Sequence, residues 1–383
     1  MRNGNRDLGL TKAVSLVAGN RFATRDANVL GDLAHSINII SSGYKFIRII
    51  YFKLFRLKYK IDINLKDGGE LDRLYRLNFE INIRRICMLK LMKRYGLVAL
   101  VGFMLLGLFA PMASGQSDSF VALKEEVEQI ADSLDTGTIS VYIETSEGTI
   151  AINETEVMSS ASTIKVPILA EALKQAEQGD LFWDDEVVVE ESDVVGGSGV
   201  IKDMDLPQSF TVRELADLMI TVSDNTATNM LMERVGFDEV NWACIEMGCV
   251  DTVLQTSIYT SMPQDRGPHN YSNTKDMVTI LKGVNEGGFL TPAGKEEFLR
   301  IMRDANEARL SEYKDPERHK DILVGRKGGS TASPRVLHDV GIFTLGDEDI
   351  YAAVFTKDVQ PNTATPTIGE IGRSIMDYMV ETN

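Results

Sequence analysis

The chain has 383 residues, 40 of them Lys or Arg and 56 Asp or Glu, for a formal net charge of −16 at pH 7. With 44% apolar and 25% charged residues it has the composition of a folded domain rather than a fibrous or disordered one. The charge is divided unevenly: residues 1–115 carry 19 basic against 8 acidic side chains, or +11, and residues 116–383 carry 21 against 48, or −27. The acidic part argues against nucleic acid as a partner, and its self-repulsion is relieved by salt.

Residues 1–87 hold 16 basic against 8 acidic side chains, a basic-aromatic patch from Tyr44 to Lys60 and no chemical motif. They read as upstream sequence with the functional start at Met88 or Met92. The alternative is a basic segment that touches acidic lipid or nucleic acid. Lys90, Lys93 and Arg94 then precede the apolar run Leu97–Ala110, and Ala113-Ser114-Gly115 supplies small residues for cleavage. Residues 88–115 therefore read as a signal peptide, which implies an exported protein beginning near Gln116. The apolar run is shorter than the roughly 20 residues that cross a bilayer, so no stable span is expected after cleavage.

In residues 116–383, Thr138–Thr145 and Thr149–Asn153 alternate as a hairpin around Glu147-Gly148. The pattern Ile164, Ile168, Leu169, Ala172, Leu173 and Ala176 predicts a helix opening at Ser162 and stopping at Gly179. Pro167 is tolerated in its first turns. Ser162 and Lys165, three apart, fall on one face of that helix. A serine hydroxyl needs a base to become a nucleophile, and a lysine among apolar residues and other cations can serve as one. Alone, the pair fits a capping serine beside a solvated lysine better than a catalytic pair; the motifs that follow reverse that.

Thr211 and Glu214 form a capping box for the next helix. Ser223-Asp224-Asn225 follows it in a turn, where one of the first two residues caps a helix over Thr226–Val235 that Gly236 ends. In a functional reading Ser223 relays a proton and Asn225 holds a substrate amide. Cys244 and Cys249 flank Gly248 at the end of a helical stretch; the separation is poor for a bridge and they read as free thiols. His269, His319 and His338 lack metal-ligand spacing, so neither a metal nor a cofactor is expected, and His338-Asp339 reads as a structural hydrogen-bonded pair. Lys327-Gly328-Gly329-Ser330 lies between Ile322–Gly325 and Val340–Thr344 and reads as a turn between strands. Its glycines admit a substrate backbone and Lys327 offers a charge to a substrate carboxylate. Ile350–Thr356 is a further strand. Strands at both ends with helices between predict an α+β fold.

These three motifs, in this order, are the set found in class A β-lactamases and penicillin-binding proteins. The chain resembles the class A β-lactamase family from about Phe120 to Val380, including Val212–Leu215, Asn225–Asn229 and His338–Gly341. The resemblance implies an antiparallel sheet covered by helices, a helical subdomain inserted at about residues 159–285, and a catalytic domain over 116–383. It makes Ser162 the acylated nucleophile, Lys165 its base, Ser223 the proton shuttle, and Asn225, Lys327, Gly329 and Ser330 substrate-binding. The amides of Ser162 and Ser330 would form the oxyanion hole. The implied substrate is a β-lactam or a peptidoglycan-like peptide, taken by a monomer; a DD-peptidase and a penicillin-binding sensor are the alternatives. Two departures stand out. Gly328 replaces a threonine, and Ile258 falls where the family's deacylating glutamate belongs. The acid in that loop, Asp265 beside Arg266, reads as an ion pair.

Overall fold

Ser117 caps α1 (Asp118–Asp132) by accepting the Phe120 amide, and Phe120, Leu123, Val127 and Ala131 form the buried stripe. This computed structural model describes residues 116–258, 269–306 and 309–383; the expected extension, signal peptide and Asp265 lie outside the described residues. The hairpin follows as β1 (Thr138–Glu144) and β2 (Thr149–Ile152), antiparallel, with Val141 opposite Ile152. A short β3 (Met158–Ser159) leads into a 3-10 turn, Ala161–Ile164, and then α2 (Lys165–Gln178). The expected helix thus starts as a tighter turn that carries Ser162. Its end is as expected: Gly179 takes φ 77, a left-handed conformation that costs glycine little.

A hairpin that periodicity did not reveal, β4 (Glu186–Val189) with β5 (Gln208–Thr211), introduces α3 (Val212–Thr221). The predicted capping box is present: Thr211 Oγ1 accepts the Glu214 amide while the Glu214 carboxylate accepts the Thr211 amide. Next come α4 (Asn225–Val235), α5 (Phe237–Met247), β6 (Tyr271–Ser272), which pairs with β3, α6 (Thr274–Asn285) and α7 (Pro292–Arg303). Three long strands, β7 (Leu323–Ala332), β8 (Arg335–Leu345) and β9 (Glu348–Lys357), and a final helix α8 (Pro361–Thr382) complete the described chain.

The main sheet has the order β2-β1-β9-β8-β7, with every neighbour antiparallel. Its two faces feed two cores. Ile350, Ala352 and Val354 pack with α1 and α8, while Tyr351, Ala353 and Phe355 pack with the apolar faces of α2, α3 and α6. That alternation is the two-residue period of a strand, and the result is the α+β architecture expected. One expectation fails. Lys327–Ser330 is not a turn but lies inside β7, paired with Val340 to Leu337, and the reversal comes at Ser333-Pro334. The glycines misled the reading, because they serve close packing here and not chain reversal.

Candidate active site

The 3-10 turn, the α3–α4 connection and edge strand β7 converge on one point. Ser162 sits half-buried in the turn, just after Ala161, which holds φ 46. Three residues on, Lys165 is fully buried as the first residue of α2. Its Nζ donates to the Ser223 carbonyl at 2.7 Å and to Asn225 Oδ1 at 3.0 Å, and lies 3.1 Å from Ser223 Oγ. Lys327, also buried, donates to the same Ser223 Oγ at 3.0 Å and to the Gly328 carbonyl at 3.0 Å. One hydroxyl therefore sits between two lysine nitrogens. Ser223 holds that place with φ 56, a conformation costing a non-glycine residue about 1–2 kcal/mol. The surrounding bonds over-determine it.

Asp224 explains why this turn is rigid. Its carboxylate caps α4 by accepting the Ala227 amide at 2.9 Å, and it also accepts the amides of Val200 at 2.6 Å and Ile201 at 2.9 Å. The loop it holds is the glycine-rich Gly196-Gly197-Ser198-Gly199. Gly199 has φ 115, and a Cβ there would fall 2.2 Å from the Asp224 carboxylate, so only glycine permits the wrap. Asn225 Nδ2 donates to the Gly196 carbonyl at 2.9 Å. Asn225, expected to hold a substrate amide, thus spans Lys165 and this loop and orients both. The loop was missed in the sequence; its run of glycines was the available signal.

β7 brings the remaining residues. Gly329 presses on the turn so closely that a Cβ would lie 2.8 Å from the Ser162 nitrogen and 3.0 Å from that of Thr163. Any side chain would cover the amide expected to face a developing oxyanion. Ser330 follows, exposed on the edge strand, so the strand's outer side is open beside Ser162. Of the predicted site residues, the structure brings Ser162, Lys165, Ser223, Asn225, Lys327, Gly329 and Ser330 to this one place.

His338 and Asp339 do not pair. As neighbours on β8 they point to opposite faces. His338 Nε2 donates to the Ser159 carbonyl at 2.9 Å, Nδ1 accepts the Thr356 amide at 3.2 Å, and the ring stacks on Phe355 at 3.9 Å. Burial drives its pKa down to about 4, so the neutral ring braces the strand leading to Ser162. Asp339 accepts the Leu310 amide at 2.8 Å on the far side, and burial pushes its pKa up to about 6.

The loop after α5 is built differently. Asn241 accepts the Leu254 amide and donates to the Leu254 carbonyl, Asn270 does likewise with Thr256, and Asn229 Oδ1 accepts the Ile258 amide at 2.8 Å while its Nδ2 donates to the Ile258 carbonyl at 3.0 Å. Three asparagines thus fix the backbone up to Ile258, whose side chain packs at the edge of the helical core. Among the described residues, no group of three His, Cys, Asp or Glu forms a metal centre and no helix is long and apolar enough to cross a membrane.

A serine at a tight turn, two buried lysines bracketing a second serine, and an open edge strand fit a serine-hydrolase scaffold. The chain belongs to the beta-lactamase enzyme family, whose model matches residues 122–379. It is 26% identical over 246 residues to beta-lactamase AST-1 of Nocardia asteroides, covering 62% of this chain and 77% of that protein. It is 26% identical over 146 residues to beta-lactamase BRO-1 of Moraxella catarrhalis, a match to 36% of this chain that spans just under half (45%) of that relative's length. In fold it is similar to a beta-lactamase from Sphaerobacter thermophilus DSM 20745 (TM-score 0.62, 24% identity, 69% of this chain and 98% of that one). It is similar also to a leucine-to-glutamate variant of PBP-A in an acyl-enzyme complex with penicillin G (TM-score 0.60, 24% identity, 68% and 97%).

Proposed function

We propose that this protein is a serine hydrolase that β-lactams acylate at Ser162 and that releases the acyl group slowly. The observation that carries the reading is Ser223 Oγ, held 3.1 Å from Lys165 Nζ and 3.0 Å from Lys327 Nζ. Lys165 takes the proton of Ser162 as its Oγ attacks the lactam carbonyl. The amides of Ser162 and Ser330 face the oxyanion; a single such donor is worth about 10²–10³ in rate. Ser223 passes a proton to the departing lactam nitrogen, and Lys327, across the same hydroxyl, attracts the substrate carboxylate.

Release of the acyl group requires activated water. A positioned general base contributes about 10²–10⁴-fold, and Ile258 offers none. A stoichiometric burst followed by slow turnover is therefore expected. The fold's likeness to a PBP-A variant held as an acyl-enzyme with penicillin G is in keeping with acylation by a penicillin; a peptidoglycan-like acyl-D-Ala-D-Ala peptide is the second substrate proposed for the same acylation. Export through residues 88–115 is part of the proposal, and amino-terminal sequencing of exported protein beginning near Gln116 is its test. For the chemistry the test is intact-mass spectrometry with a penicillin, followed over time. A persistent single adduct supports the proposal; rapid multiple turnover without a burst overturns slow release, and no adduct with no hydrolysis overturns acylation.

A further inference from the structure

Cys244 and Cys249 are both free thiols, the first buried and the second half-buried. Five residues apart, they were expected to lie badly for bonding. The end of α5 changes that. Gly248 takes φ 105, the Cys249 amide donates to the Cys244 carbonyl at 2.9 Å, and the Gly248 amide donates to the Ile245 carbonyl at 3.1 Å. This is a Schellman cap, whose geometry folds the residue after the glycine back onto the residue in the last turn and brings their side chains together. Here both partners are cysteines. Cys249 is further fixed by its Sγ contact to the Asp276 carbonyl at 3.5 Å, while the Asp276 carboxylate accepts the amides of Val250, Asp251 and Thr252 immediately downstream.

We propose that Cys244 and Cys249 form a built dithiol site that closes to an intramolecular disulfide by exchange with a low-molecular-weight disulfide such as oxidised glutathione. The Cys249 thiolate, the less buried of the two, attacks one glutathione sulfur; a Cys249–glutathione bond forms and one glutathione thiolate leaves. The Cys244 thiolate then attacks the Cys249 sulfur, and the second glutathione leaves. Two protein thiols are oxidised, their protons pass to solvent or to the released glutathione, and one external disulfide is reduced to two thiols. The bond would lock the cap of α5 and the start of the segment that runs to Ile258. The neighbouring Cys244 thiol and burial raise the Cys249 pKa, so closure quickens as pH rises.

The full chain is incubated with oxidised glutathione under native conditions, blocked with an alkylating agent and mapped by tandem mass spectrometry, which separates these residues from Cys87. The expected result is a 235–266 peptide lighter by two hydrogens, carrying no alkyl group and no glutathione, and restored to two alkylated cysteines by prior reduction. In Cys244→Ser the glutathione adduct on Cys249 should persist, since nothing resolves it. Two alkylated thiols after oxidation at pH 8.5, or a stable glutathione adduct on the unmodified chain, would overturn the proposal.

Discussion

The two halves of the candidate site are built from different materials. At the acylation centre the chemistry resides in side chains: Lys165, Ser223 and Lys327 are buried and mutually bonded within a few ångströms of the Ser162 turn. At the loop ending in Ile258 the order resides in the backbone, gripped by Asn229, Asn241 and Asn270. A loop held this way keeps its path whatever side chain it presents. The acylation centre has no such freedom, because Lys165 Nζ meets three specific oxygens and Ser223 Oγ lies between both lysines. On the proposed function, the difference means that release could be tuned at the single residue 258 while the acylation centre stays fixed.

The largest expected effect tests the fixed half. Ser162→Ala should abolish the penicillin adduct in intact-mass spectra while the thermal transition stays within a few degrees, since the residue is only half-buried. Labelling that survives this change would place the nucleophile elsewhere. Next in size is the tunable half. Ile258→Glu puts a carboxylate on a backbone already anchored, and the steady-state rate after the burst should rise, up to about 10²–10⁴-fold. The burst rate should not change. A slower burst with no faster steady state would show that the loop does not present its side chain to the acyl group.

Much of this was legible in the sequence, for reasons particular residues make plain. The Ser-x-x-Lys pair, the Thr211–Glu214 box and the Gly179 stop are local signals whose physics acts within a few residues. The hairpin and the terminal strands showed through alternation. What failed was long-range. Lys327–Ser330 looked like a turn because its glycines exist to let β7 approach the Ser162 amide, a contact between residues far apart in the chain. His338 and Asp339 looked like partners because adjacency in sequence hides the flip of side chains across a sheet. The loop around Asp224 and the apposition of Cys244 with Cys249 depend on backbone geometry that composition does not disclose.

The His338–Asp339 split gives a pH test of how rigid the fixed half is. A histidine held at about 4 against an ordinary 6.5 is protonated more in the unfolded chain, so its contribution falls as pH drops from about 6.5 to 4. An aspartate raised to about 6 from 3.8 is protonated more in the folded chain, so its contribution falls as pH rises over nearly the same window. In the unmodified protein the two largely cancel. His338→Gln should leave stability that declines from pH 4 to 6, and Asp339→Asn stability that climbs from pH 4 to 6.5, each by about 3 kcal/mol at roughly 1.36 kcal/mol per pKa unit. Denaturant titrations of both variants across this range check the signs, and parallel curves would show that these buried groups do not titrate as their surroundings require.

The smallest effect bears most directly on the separation of the two halves. Asn229 lies on α4, the same helix whose first residue, Asn225, binds Lys165, yet its side chain serves Ile258 through two hydrogen bonds of 2.8 and 3.0 Å. Asn229→Ala removes both, at a cost of about 1–3 kcal/mol for part-buried backbone groups left without partners, and the fold should survive. Introduced together with Ile258→Glu, it should cancel most of the gain in turnover, because a carboxylate on a loosened backbone no longer holds water at the acyl carbonyl; a misplacement near 1 Å can cost about 10²-fold. The burst, which depends on Ser162, Lys165 and Ser223, should keep its rate. Rapid-quench measurement of burst and steady state in the double variant decides the matter. If both phases slow together, α4 couples the halves, and the loop cannot be tuned without disturbing the lysine beneath it.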